Sequence, residues 1–214
     1  MPTSFPQPKK HELKNFDSLI GRVRGLSEKQ LRAHFGLYEG YVKKVNEIEE
    51  KLAAVDRSAP NYSFNEFSEL QRRHAVPYNG ACLHELYFEN LCGKSVLSEG
   101  ELRDQIVRDF GSFENWWSDA QAGLTSAFGW VLLTRSRRDG RLFNNVIEEH
   151  HRGVMCEQDI VLALDGWEHS YMIDYGTTKA EYIKVLGEAI DWSVASKRFA
   201  QAVRSQGQNA TRAA

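Results

Sequence analysis

The longest regular pattern of apolar and polar positions is in residues 27–52, "SEKQLRAHFGLYEGYVKKVNEIEEKL". Leu31, His34, Tyr38, Tyr41, Val45, Ile48 and Leu52 recur in steps of three and four, with Glu and Lys between them. That spacing keeps one face of an α-helix apolar, and Ser27 with Gln30 reads as a capping box at its start. The segment "AVDRSAPNYS" breaks the pattern. A second helical region follows, interrupted near Pro77. From Asn79 it carries Leu83, His84, Tyr87, Phe88 and Leu91 on one face, with Gly93 as its stop. Two such helices joined by a loop predict an antiparallel hairpin.

The period changes after residue 95. "SEGELRDQIVRDFGSFENWWSDAQAGLTSAFG" predicts two or three shorter helices divided at Gly111 and Ser112. "WVLLTRSRRDGRLFNNVIEE" predicts two strands around an Asp139-Gly140 turn, and "DIVLALD" a third. "AEYIKVLGEAIDWSVASKRFAQAV" predicts one closing helix, and the final "GQNATRAA" reads as frayed. The fold class is therefore α+β. An N-terminal antiparallel helical hairpin (residues 1–95) precedes a C-terminal domain (96–214) with a three-stranded antiparallel sheet packed by helices. No internal repeat is visible.

Composition narrows this picture without changing it. A chain of 214 residues is long enough to bury a sizeable core. A formal net charge of -2 gives no basic field, so no nucleic-acid partner is expected. No apolar run approaches the ~20 residues a membrane helix needs, so no membrane partner is expected either. The opening "MPTSFPQPKKHELKNF" reads as a flexible lead-in and lacks the apolar core of a signal peptide. Cys82, Cys92 and Cys156 are odd in number and form no CxxC pair, as in a reduced, cytoplasmic protein.

The candidate chemistry centres on residues 162–176, "LALDGWEHSYMIDYG", where Asp165 and His169 follow an apolar run. They read either as a strand turning into a helix under a capping carboxylate, or as two ligands of a metal site. His34 and His84 lie in apolar helical faces, one on each arm of the hairpin. Alone, each reads more readily as a hydrogen-bonded core histidine than as a ligand. Together the four offer three imidazoles and one carboxylate. That set suits Fe or Mn with a solvent position better than it suits zinc.

"DGWEHSY" resembles the DxWEHxY signature of the iron/manganese superoxide dismutases. "FGSFENWW" and "AFGW" resemble the preceding segments of that family, and "LSEKQLRAHFG" and "YNGACLHELYFENL" its two ligand helices. The likeness runs in family order from about Leu26 to Trp192. It implies that His34, His84, Asp165 and His169 bind one Fe or Mn ion, which disproportionates superoxide to dioxygen and hydrogen peroxide. It also implies a homodimer or homotetramer in which Glu168 reaches the partner subunit's His169. Trp167 and Phe88 would be apolar walls of the site.

The chain also departs from the family pattern. The family's Gln, which touches the metal-bound solvent, is replaced on the second helix by Gly80, which leaves space. On the sheet side it is replaced by His150, or by His151 after a one-residue slip. The family Tyr, eight residues after the first His, comes here at seven, as Tyr41. A His–Tyr pair across the interface corresponds here to Tyr38 and Met172, and an Arg after the signature corresponds to Lys179. The rebuilt gateway leaves a second reading, a catalytically weak metal-bound scaffold of the same fold.

Overall fold

The computed structural model describes residues 5–213. Helix α1 (Glu28–Ala54) and helix α2 (Glu66–Glu89) pack against each other as the expected hairpin. Leu31, His34, Tyr38, Val42, Val45 and Ile48 form the buried face of α1. Asn65 starts α2 by accepting the Ser68 N–H. Several details differ from the sequence reading. Helix α2 runs unbroken through Pro77, which is buried within it, so packing against α1 outweighs the lost backbone bond. The helix ends at Asn90, before Gly93. Gly93 instead permits close approach, since a Cβ there would lie 2.9 Å from the Arg22 carbonyl. At the start of α1, Ser27 Oγ accepts the Gln30 N–H, but the reciprocal half of the capping box is absent. The Ser27 N–H goes to Asp174 Oδ2 instead.

The lead-in differs as well. Its described part is a strap held across the hairpin. Asn46 of α1 clamps both backbone groups of His11, at 2.8 and 3.0 Å. Lys14 pairs with Glu85 and Glu89 of α2, and its N–H donates to the Tyr38 hydroxyl.

Beyond the hairpin come α3 (Glu101–Phe110) and α4 (Phe113–Ser126), parted at Gly111, whose φ of 86° suits glycine. Strands β1 (Trp130–Ser136), β2 (Leu142–Ile147) and β3 (Gln158–Asp165) form an antiparallel sheet in the order β2-β1-β3. Gly140, with φ 76°, closes the β1–β2 turn. After a short 3-10 turn (Glu168–Ser170) come α5 (Met172–Tyr175), α6 (Lys179–Ala189) and α7 (Trp192–Ala213). The expected single closing helix is thus two. Ile190 is extended, and Asp191 Oδ1 accepts the Ser193 and Val194 N–H groups to start α7 afresh. The backbone of α7 stays helical through Ala213, over most of the segment that reads as frayed.

Asn90 fixes how the hairpin meets the sheet. Its side chain donates to the Ala163 carbonyl of β3 at 2.7 Å, and its own carbonyl accepts the Asp191 N–H. The Cys92 N–H donates to the Ala189 carbonyl. One continuous core therefore runs from Leu31 and Phe88 to Leu162 and Phe199.

Candidate metal centre

Three elements aim four side chains at one point. Helix α1 supplies His34, α2 supplies His84, and the end of β3 with its following turn supplies Asp165 and His169. One ligand atom from each lies within 4.8 Å of every other. Asp165 Oδ2 is 3.2 Å from His34 Nε2, 3.4 Å from His169 Nε2 and 3.9 Å from His84 Nε2. His34, His84 and Asp165 are fully buried, while His169 keeps 26% of its side chain exposed.

The "LALDGWEHSYMIDYG" segment is both of the things it suggested. Asp165 Oδ1 caps the turn by accepting the Trp167 N–H at 2.8 Å, which leaves Oδ2 for the site. Asp165 is directly opposite Trp130 in the β1–β3 register. The His84 Nδ1–H donates to the Gly80 carbonyl at 2.6 Å, so its Nε2 carries the lone pair a metal needs. The fully buried Gln30 was not recognised as a site residue from sequence. Its amide donates to the His169 carbonyl at 2.6 Å and accepts the Ile173 N–H at 3.0 Å. The signal that could have found it is a polar residue one position before the seam begins.

The electrostatics fit a cation. Burial pushes Asp165 up, but His169 and His34 outweigh it and hold the carboxyl well below the usual range. Burial pushes His34 down, and burial with His34 beside it pushes His84 down further. His34 Nε2 and Asp165 Oδ2 are buried without any hydrogen-bond partner. Unsatisfied buried groups cost about 1–3 kcal/mol each, more when charged. An ion between them removes that cost, and a donor set of three imidazoles and one carboxylate suits Fe or Mn.

The outer residues also converge. Tyr41 Oη and His150 Nε2 are 2.7 Å apart, and the Trp130 indole N–H donates to His150 Nδ1 at 2.9 Å. His150 is buried beside His84, whereas His151 turns to Glu149, so His150 is the histidine at the site. Burial lowers His150 to about 4. Phe88 walls His34 with ring centroids 4.8 Å apart, and Trp167 lies parallel to His169. Gly80 does not leave space. A Cβ there would be 2.8 Å from the Tyr41 ring, which fills the position. Tyr38 is buried, and its hydroxyl donates to Glu85 within the chain, while Met172 is half-exposed. The Lys179 ammonium donates to the Ala127 carbonyl at 2.7 Å.

Residues 98–198 match the model of the C-terminal domain of iron/manganese superoxide dismutases. A superoxide dismutase [Fe] of Cupriavidus metallidurans is 40% identical over 199 residues, covering 91% of this chain and 98% of the relative. The chain belongs to the iron/manganese superoxide dismutase family. A superoxide dismutase [Fe] of Aquifex pyrophilus is 34% identical over 202 residues, covering 91% and 94%. A superoxide dismutase [Mn] 2 of Haloferax volcanii is 34% identical over 182 residues, covering 83% and 89%. The family's relatives thus carry either metal in their names, in keeping with the donor set found here. Among the described residues no helix is long and apolar enough to cross a membrane.

Proposed function

We propose that this protein is a superoxide dismutase working at one Fe or Mn ion held by His34, His84, Asp165 and His169. The observation that carries the reading is the buried, unpartnered pair His34 Nε2 and Asp165 Oδ2 inside a four-residue donor cluster. When bound, the ion supplies the one-electron chemistry, oxidising one superoxide to dioxygen and reducing a second, which two protons complete to hydrogen peroxide. The chain's own work is to hold the ion, exclude other ligands and place protons. Phe88 and Trp167 wall the cavity with apolar rings.

Tyr41 is the proton-bearing residue of the site, and His150 positions it. An indole N–H only donates, so His150 Nδ1 accepts from Trp130 and the ring proton sits on Nε2. That proton points at Tyr41 Oη, which frees the tyrosine's own O–H for solvent or substrate. With both nitrogens engaged, His150 has none left for solvent in the site. It acts through Tyr41, a different wiring from the direct solvent contact that the resemblance suggested.

The active form is a homodimer or a higher assembly of dimers. Glu168 is exposed, and among the described residues neither its carboxylate nor His169 Nδ1 makes a hydrogen bond. A ligating imidazole normally donates from its second nitrogen to a carboxylate or carbonyl. Glu168 bridging to the partner subunit's His169 would supply that acceptor. The three free cysteines suit a reducing, cytoplasmic setting. Residues 1–95 and 96–214 divide the labour, each half contributing two ligands to the shared site.

Metal analysis followed by superoxide consumption, on protein reconstituted separately with Fe and Mn, tests the reading. One ion per chain and rapid consumption with at least one metal are expected. Stoichiometric metal without consumption would leave a scaffold. Full metal retention by two or more of the four alanine variants would overturn the site.

A further inference from the structure

We propose that His11, Glu49 and His74 form a second cation site. It would take one borderline d-block ion such as Zn2+ or Ni2+ and pin the N-terminal strap to both arms of the hairpin. His11 comes from the strap, Glu49 from α1 and His74 from α2. Both imidazoles point Nε2 at the same carboxylate oxygen. His11 Nε2 is 3.1 Å and His74 Nε2 2.9 Å from Glu49 Oε1. Ligands that each sit about 2.0–2.1 Å from an ion stand roughly 3 Å apart, so both nitrogen–oxygen edges already have coordination length. The edge between the two nitrogens is left to close. The rings have the freedom to close it, since their side chains are 29% and 31% exposed.

Two histidines and one glutamate with solvent in the fourth position is a donor set that zinc accepts. The groups around the two histidines do not compete for an ion. Asn46 fixes the His11 backbone from both sides, and the Tyr78 ring abuts both imidazoles at 5.5 and 5.6 Å. The neighbouring Lys10 ammonium is occupied by Glu50 at 3.0 Å. An ion would replace the two ring protons now shared with Glu49, with both rings turning from the carboxylate oxygen toward one common point. The site lies outside the catalytic cluster and shares no residue with it.

The test is calorimetric titration of the Fe- or Mn-loaded protein with ZnCl2 and, separately, NiCl2, with the resident metal assayed afterwards. One further equivalent per chain is expected, with the resident metal unchanged. Loss of a group that merely orients a ligand weakens metal binding by ~10–100-fold, so His11→Ala and His74→Ala should each weaken the added ion by at least about tenfold. Tryptic cleavage after Lys9 and Lys10 should slow when the ion is added to the parent protein, and should not slow in either variant. Superoxide consumption without added ion should be the same in His74→Ala as in the parent, so this test and that of the proposed activity fail independently. Absence of a further equivalent, its survival in both variants, or strap cleavage indifferent to the ion would each overturn the proposal and leave a hydrogen-bonded staple.

Discussion

Two clusters in this protein set histidines against one carboxylate oxygen at nearly the same spacing. At Asp165 Oδ2 the nearest imidazole nitrogens are 3.2 and 3.4 Å away, and at Glu49 Oε1 they are 2.9 and 3.1 Å away. The difference is water. The Asp165 side chain is wholly buried, whereas that of Glu49 keeps 16% of its surface and its histidines about twice that. At Asp165 two atoms are left buried and unpaired. At Glu49 the same groups complete one another by hydrogen bonds. Imidazoles ranged on one carboxylate oxygen therefore mark where an ion could be drawn in, and unpaired buried atoms mark where one is required. The buried cluster should depend on its ion, and the wetter one should merely accept one.

The sharpest way to break that contrast is to remove ligands. His34→Ala, His84→Ala, Asp165→Ala and His169→Ala should each lose the metal and the stability it confers. That term reaches about 4 kcal/mol when free metal exceeds its dissociation constant a thousandfold. Metal content and thermal melts check it. Metal-loaded melts that match the parent in these variants would equate the two clusters.

Acid separates the clusters next. In the metal-free protein His34, His84 and His150 are held below their ordinary value, His150 at about 4. The unfolded chain takes up those protons near pH 6.5, and the folded one does so only lower down. Their contribution is therefore complete above about pH 6.5 and is lost as pH falls through each folded value, which for His150 is about 4. Burial pushes Glu49 up, but its bonds from His74 and His11 win and hold it low, so its contribution is lost only below the ordinary glutamate range, about 4.3. Melts of metal-free Glu49→Gln should show the same loss between pH 6.5 and 4 as the parent. A changed slope in that window would tie it to Glu49.

Gly80→Ala comes next in size. Its new Cβ would meet the Tyr41 ring at 2.8 Å, and overpacking of this kind costs about 1–3 kcal/mol. Tyr41 must shift, which disturbs its bond to His150, so consumption should fall more than metal content does. Equal losses of both would mean the metal cluster itself had shifted. A Gln at this position would not restore a family-like amide, because Tyr41 occupies its room.

The buried cluster was legible in the sequence and the wet one was not, for the same reason. His34 and His84 interrupt apolar seams, and Asp165 ends an apolar run, so each is conspicuous as a polar residue on a face that must be buried. His11 and His74 sit in polar surroundings, where a histidine attracts no notice. The hairpin, the division at Gly111 and the Asp139-Gly140 turn were readable because local periodicity and turn chemistry decide them. What escaped depended on contacts distant in sequence. Asn90 tethers α2 to β3, and Gln30 spends its side chain on His169 in place of closing a capping box. Packing carries α2 through Pro77, and Asp191 restarts a helix where apolar spacing alone runs on.

The smallest effect tests the wet cluster by itself. Without added ion, His74→Ala removes one hydrogen bond to a carboxylate that keeps its bond from His11. Exposed pairs of this kind are worth about 0–1 kcal/mol, so the melting temperature should barely move and resident metal should stay. Adding Zn2+ should then raise the melting temperature of the parent and leave His74→Ala where it was, because only an ion that binds the folded state stabilises it. The contrast between the clusters rests on this asymmetry. A substitution at Asp165 is felt before anything is added, and one at His74 only afterwards. A large loss in His74→Ala without any ion would show that the strap clasp is as essential to the fold as the buried centre.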